Sequence, residues 1–406
     1  MSYDIVVFGA TSFVGQILCR HMVDRHGTDG EVSWAIAGRN EAKLEEVAAD
    51  TGADVPRIVA DADDDEAIAA MVASTKLVIS TVGPYALYGS KLVAAVADAG
   101  VDYVDLTGEP QWQQRMIDEH QDRAAETGAR IVHACGFDSI PSDLGTWFLQ
   151  QQATERFGSP CNRVRLGVKA MKGGASGGTV ASMMNVMEEV SSDPSLRKVL
   201  TNPYALAPTD DRKGPQDPGP KQPNVTMPEF DEGLDSWQAP FVMAGTNTKV
   251  VFRTHALIGH EWGDDFTYGE AMLTGDGTSG RAKALAITGA LGGFMGAAAL
   301  GPMRKVLGKV LPEPGEGPSE EKQEAGFFDI VVHGTTADGD ELTVRVTGDK
   351  DPGYGSTAKM LAESALCLLR RSRDDVSGGF HTPATALGDT GIDALVEHAG
   401  LTFDVV

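Results

Sequence analysis

The feature that most constrains this chain is a glycine turn at its start. Residues 5–8 (Ile5, Val6, Val7, Phe8) form an apolar run of strand length, and residues 16–23 read as a helix. Between them lie Gly9, Ala10, Thr11, Ser12, Phe13, Val14 and Gly15, a G-x-x-S-x-x-G pattern related to the dinucleotide fingerprint. A strand, a tight turn and a helix N-terminus together present unpaired N–H groups and the positive end of a dipole to a pyrophosphate. Gly9 permits the sharp turn, and Gly15 lets helix and strand approach closely. Ser12 stands where a middle glycine is common; its hydroxyl can reach a phosphate, but its side chain takes up room.

Beyond this unit the chain alternates. Short apolar strands are expected at 32–37, 57–60, 77–82, 103–106 and 130–134, separated by helices at 41–50, 90–99 and 111–127. Strands alternating with helices imply a parallel sheet with right-handed crossovers. The fold class expected is therefore α/β: an N-terminal Rossmann-like doubly wound parallel sheet, followed by a C-terminal α+β domain with a mostly antiparallel sheet. Residues 1–150 are assigned to the NAD(P)-binding part and 151–406 to a substrate and dimerisation part, with 350–371 packing back on the first.

In such a sheet the end of the second strand faces the adenosine ribose, where an acid selects NAD and an arginine accepts a 2′-phosphate. Here the position carries Arg39, with Asn40 beside it and Lys43 one turn into the next helix. Asp61 closes the third strand near the expected adenine edge. Thr81, Val82, Gly83, Pro84 and Tyr85 follow the fourth, in the loop where backbone can approach a cofactor. NADP(H) is the cofactor expected, ahead of NAD(H).

The second half reads differently. Strands are expected at 164–170, 247–254, 266–273, 327–333 and 341–347, the last two joined as a hairpin. Residues 173–179 form a second glycine-rich helix start, able to hold an anionic group or to act as a flexible turn. Residues 202–235, rich in Pro, Asp and Gly, read as a surface excursion. Residues 284–303 carry no charge, contain five glycines and are flanked by Lys283, Arg304, Lys305 and Lys309. Glycine and alanine dominate there, so a helix packed against protein is expected, with peripheral lipid contact as the alternative.

Composition narrows the partners. The formal net charge of -24, from 58 acidic and 34 basic residues, argues against a nucleic-acid partner. Cys19, Cys135, Cys161 and Cys367 are scattered, with no C-x-x-C pair, as in reduced cytoplasmic proteins. No His and carboxylate spacing calls for a metal.

Several stretches together resemble a family. The Gly9–Gly15 turn, Ala37-Gly38-Arg39-Asn40, Thr81-Val82-Gly83-Pro84-Tyr85, residues 103–109 (Tyr103 to Glu109) and residues 136–145 (Gly136 to Gly145) are similar to those of saccharopine dehydrogenase-like oxidoreductases, trans-acting enoyl reductases among them. The similarity continues through Ala239-Pro240-Phe241-Val242-Met243 and Asp351-Pro352-Gly353-Tyr354. It implies a nicotinamide-dependent reductase, with enoyl-reductase members serving lipid synthesis. With Arg39 at the ribose, the expected activity is NADP-dependent reduction of a lipid-linked enoyl or carbonyl substrate, and a homodimer is expected. Tyr85, Glu109, Asp138 and Tyr354 are the candidate acids in the expected crevice. Two alternatives stand beside it. One is a saccharopine-type amino-acid reductase, which would need Arg163, Arg165 or Arg253 to hold carboxylates. The other is a non-enzymatic cofactor-binding protein at a lipid surface.

Overall fold

A computed structural model describes residues 2–173, 177–212, 219–299, 303 and 317–406. The first half alternates as the sequence predicts: β1 (Tyr3–Phe8), α1 (Phe13–His26), β2 (Trp34–Gly38), α2 (Glu41–Thr51), β3 (Arg57–Val59), α3 (Asp65–Ala73), β4 (Thr75–Ser80), α4 (Tyr85–Tyr88), α5 (Ser90–Ala99), β5 (Asp102–Asp105), α6 (Pro110–Thr127) and β6 (Arg130–Val132). Side chains start the helices where amides would otherwise be orphaned. Ser12 caps α1 through the Gly15 amide, Asn40 caps α2 through the Lys43 amide, and Asp64 caps α3 through those of Glu66 and Ala67.

α7 (Ile140–Phe157) leads to β7 (Cys161–Lys172), α8 (Gly177–Ser192), α9 (Leu196–Thr201), β8 (Glu229–Asp231), β9 (Ser236–Pro240), α10 (Ala244–Leu257), β10 (Thr267–Leu273) and α11 (Gly277–Ala299). After α12 (Glu320–Glu324) come β11 (Phe327–Thr336), β12 (Glu341–Gly348), α13 (Thr357–Arg370), β13 (Gly379–His381), α14 (Pro383–His398) and β14 (Leu401–Val405). One sheet has the order β13-β6-β5-β4-β1-β2-β3, and its pairs are parallel. The other is β14-β12-β11-β7-β10-β9-β8, antiparallel except for β10 against β7.

Three differences from the sequence reading bear on the site. The parallel sheet has a seventh strand, β13, contributed from the far end of the chain beside β6. Residues 247–254, expected as a strand, belong to helix α10. Their β-branched run mimics a strand, but Asn247, Lys249, Arg253 and Thr254 are all buried, so the helix is covered on every side. Residues 202–235 are not wholly a surface excursion, since Tyr204, Ala205, Leu206 and Ala207 are buried. There the Arg253 guanidinium donates to the Leu206 carbonyl at 2.5 Å and Gln114 donates to that of Ala205 at 2.7 Å.

The sheets share one core. A single apolar cluster runs from Ile5 and Val104 through Leu361 and Leu366 to Val332 and Val344. α13 lies against α1, β4 and β5, while α7 lies against β11, β12 and α14. α11 rests on β9 and α8. It packs against protein on one side only, with Ala284 and Ala298 buried and Leu285 and Met295 exposed. Residues 300–302 and 304–316 of the uncharged segment and its basic flank lie outside the described residues, as do 174–176 of the second glycine turn. No helix among the described residues is long and apolar enough to cross a membrane.

Candidate active site

β1 and β4 are neighbours with helices leaving on different sides, so a crevice opens at their C-terminal ends. Gly9 sits at that point with φ +91°, and a Cβ there would lie 2.6 Å from the Thr81 Oγ1. A Cβ on Gly15 would collide with the Gly9 carbonyl oxygen. Both glycines are thus required by the turn. Ser12 Oγ accepts from the Gly15 amide at 2.9 Å and shares a hydrogen with Thr81 Oγ1 at 2.9 Å. Thr81 in turn donates to the Gly9 carbonyl at 2.8 Å. The serine therefore braces the turn against the β4 loop. The amides of Phe13 and Val14, first in α1, have no protein acceptor among the described residues. A tight turn, a helix start and spare amides fit a dinucleotide pyrophosphate.

At the adenosine end, Gly38 closes β2 with its Cα face toward Thr11; a Cβ there would lie 3.8 Å from the Thr11 side chain. Arg39 follows, exposed, and so is Lys43. Asn40 spends its carbonyl oxygen on the Lys43 amide at 3.0 Å. Asp61 Oδ1 accepts from the Asp63 amide at 3.0 Å and starts the turn into α3.

At the other end the crevice widens to a cavity of about 410 Å³. Ser12, Phe13, Val14, Thr81, Gly83, Tyr85, Glu109, Asp138 and Tyr354 all line it; Arg39, Asn40, Lys43 and Asp61 do not. The four candidate acids differ in their surroundings. The Tyr85 hydroxyl donates to the Ser80 carbonyl at 2.9 Å, and burial raises its pKa well above 10. Glu109 accepts from the amides of Tyr85 and Ala86 at 2.8 and 3.0 Å and from Ser182 Oγ at 2.8 Å. It ties the β4 and β5 loops to α8, and burial raises its carboxyl. Asp138, beside Gly108, has no hydrogen-bond partner among the described residues, and burial lifts it to about 6. Tyr354 meets Phe13 edge-on with ring centroids 4.6 Å apart. Its turn is set by Asp351, which accepts from the Tyr354 and Gly355 amides, each at 3.0 Å.

The cavity also contains residues the sequence reading passed over. α10 opens against the β5 loop, where Thr246 Oγ1 donates to the Gly108 carbonyl at 3.2 Å. One turn later Lys249 reaches the cavity wall, only 2% exposed. The same cavity has an apolar wall from α8 and its neighbours, including Met183, Val186, Met187, Val190 and Leu200. A cation inside an apolar run was the signal available at Lys249, and the strand assignment hid it.

A parallel sheet whose glycine turn and spare amides meet a deep cavity at the switch point defines a nicotinamide-dependent oxidoreductase. The model of the saccharopine dehydrogenase NADP-binding domain matches residues 5–132. A putative trans-acting enoyl reductase of Mycobacterium tuberculosis is 38% identical over 409 residues, covering 97% of this chain and 95% of that protein. A trans-acting enoyl reductase of Mycobacterium ulcerans is 37% identical over 405 residues, covering 95% and 94%. The chain belongs to this family of saccharopine dehydrogenase-like oxidoreductases, with NADP(H) as cofactor. Among solved structures, apo saccharopine dehydrogenase (L-Glu forming) from Saccharomyces cerevisiae matches with a TM-score of 0.54 and 13% identity, covering 100% of both chains, a likeness of fold alone.

Proposed function

We propose that this protein uses NADPH to reduce a lipid-linked enoyl or carbonyl substrate. The observation that carries the reading is the cavity wall. Met183, Val186, Met187 and Val190 line the space that begins at the glycine turn, so an apolar chain is solvated by the protein while its polar end meets Asp138, Glu109 and Lys249. The names of the full-length relatives point the same way. When bound, the cofactor supplies a hydride; the chain supplies orientation, an apolar wall and hydrogen-bond donors.

The amino-acid reductase alternative draws less support. Neither Arg163 nor Arg165 lines the cavity, and Arg253 is turned to the carbonyls of Leu206 and Phe380 at 2.5 and 2.6 Å. The test is NADPH consumption with α,β-unsaturated and β-keto acyl pantetheine thioesters of increasing chain length. Turnover should improve as the chain lengthens into the apolar wall. Turnover of short amino-acid imines, with none of the acyl thioesters, would overturn the reading.

A further inference from the structure

Lys249 is an unusual residue to find in this cavity. It lies on α10, one turn past the Thr246 that anchors the helix to the β5 loop. Its ammonium donates to the carbonyls of Leu200 and Gly245 at 2.8 and 2.5 Å. An ammonium has three N–H groups. The third has no acceptor among the described residues, and no carboxylate pairs with it there. A buried ammonium with a spare donor is costly unless something accepts from it. The residues that share its cavity include the apolar Leu200 and Met243 and the unpartnered Asp138.

We propose that Lys249 is a catalytic residue that holds the carbonyl oxygen of an acyl thioester whose chain runs along the α8 wall. The proposal rests on the reduction reading above and names the group that reading lacks. When hydride from NADPH reaches the β-carbon, the carbon–carbon π pair moves toward the carbonyl. The Lys249 N–H then holds the oxygen on which negative charge accumulates. The α-carbon takes its proton from water, and Lys249 keeps its own. A preorganised donor at the oxygen is worth most beside an apolar wall, where little else screens the charge. Burial lowers the ammonium to about 8, so the acting form is present at neutral pH and lost above it. The other titratable groups on the cavity are Tyr85, Glu109, Asp138 and Tyr354. Asp138 titrates near 6 and Tyr85 well above 10, so neither coincides with the lysine.

The test compares the wild type with Lys249→Met and Lys249→Arg on dodecenoyl pantetheine thioester. Lys249→Met should lower kcat/KM at least about tenfold, the worth of one charge-assisted hydrogen bond, with the NADPH dissociation constant unchanged. The wild type should lose kcat/KM above about pH 8, and Lys249→Arg should keep its residual rate level there. A kcat/KM for Lys249→Met close to that of the wild type, or an equal loss of NADPH affinity, overturns the assignment. If the wild type turns over no thioester, the reduction reading falls and binding decides the lysine's role. Calorimetry with saturated dodecanoyl pantetheine thioester on the NADPH complex should then show at least about tenfold weaker binding to Lys249→Met. Equal binding to both proteins overturns it. Should Lys249→Met fail to fold, the wild type alone answers: thioester binding must weaken across about pH 8 while NADPH binding stays level, and two parallel profiles overturn the proposal.

Discussion

At the scale of single residues, Arg39 carries the sharpest expectation. It follows β2 next to the glycine turn and forms no ion pair among the described residues, so its guanidinium can close on a 2′-phosphate with two N–H groups. Arg39→Ala should weaken NADPH binding at least about tenfold and leave NADH almost unchanged. The ratio of the two dissociation constants, measured before and after the change, decides it; an unaltered ratio assigns the phosphate to another group. A second residue, Glu270, sets a pH dependence. Its carboxylate accepts from Tyr268 Oη at 2.7 Å and Asn247 Nδ2 at 2.9 Å, which ties β10 to α10. Burial nevertheless raises its pKa from 4.5 to about 7. The folded state therefore keeps the proton where the unfolded chain has released it. Stability owed to that proton is whole below the unfolded value and is lost as pH climbs toward 7. Glu270→Gln removes the dependence. The stability difference, wild type minus variant, should fall by up to about 1.4 kcal/mol per pH unit across that window and level off on either side. Urea titrations of both proteins at stepped pH read it, and parallel curves would refute it.

At the scale of elements, the sequence was legible wherever a rule about backbone applied. Strand, turn and helix around Gly9 to Gly15 follow from residue type, and the repeat to β6 follows from hydrophobic period. The misreading at 247–254 has a physical cause. Thr246, Thr248, Val250 and Val251 favour a strand locally, while burial on all sides of α10 removes the polar stripe that marks a surface helix. Lys249 was lost with that assignment, because a strand would have placed it on an open sheet. β13 is three residues long and is specified by pairing with β6, which no local pattern records. The uncharged helix was legible as a helix but not in its setting. In α11, a Cβ on Gly289, Gly292, Gly293 or Gly296 would meet nothing within 4 Å. Glycine inside an exposed helix costs roughly 0.5–1 kcal/mol relative to alanine. Gly289→Ala with Gly293→Ala should therefore raise the thermal midpoint and leave NADPH binding alone. A lower midpoint, or dissociation of an assembly on gel filtration, would show that the small residues face a partner.

At the scale of the whole molecule, the chain's end completes its beginning. α13 covers the face of the parallel sheet beside α1, and its Leu361, Ala362, Ala365 and Leu366 are at most 1% exposed. Glu363 on the same helix is 1% exposed and meets His21 Nε2 at 2.9 Å and Arg25 Nε at 3.5 Å on α1. Arg130 on β6 donates to the Arg371 carbonyl at 2.8 Å, while the Phe137 amide donates to Thr357 Oγ1 at 3.0 Å. Burying one leucine is worth about 1.5–3 kcal/mol, and a domain's net stability is only about 5–15 kcal/mol. Removing α13 and β13 thus takes away a sum comparable to the whole margin. Residues 1–158, ending at the glycine that caps α7, should not form a stable dinucleotide-binding unit. Expressed alone, they should bind a hydrophobic dye and melt without a cooperative step. Residues 159–406 supplied as a separate chain should restore both the transition and NADPH binding, because the missing contacts are packing and hydrogen bonds that need no covalent link. Cooperative melting and full NADPH affinity in the isolated N-terminal piece would show instead that the parallel sheet holds itself together and that α13 only decorates it.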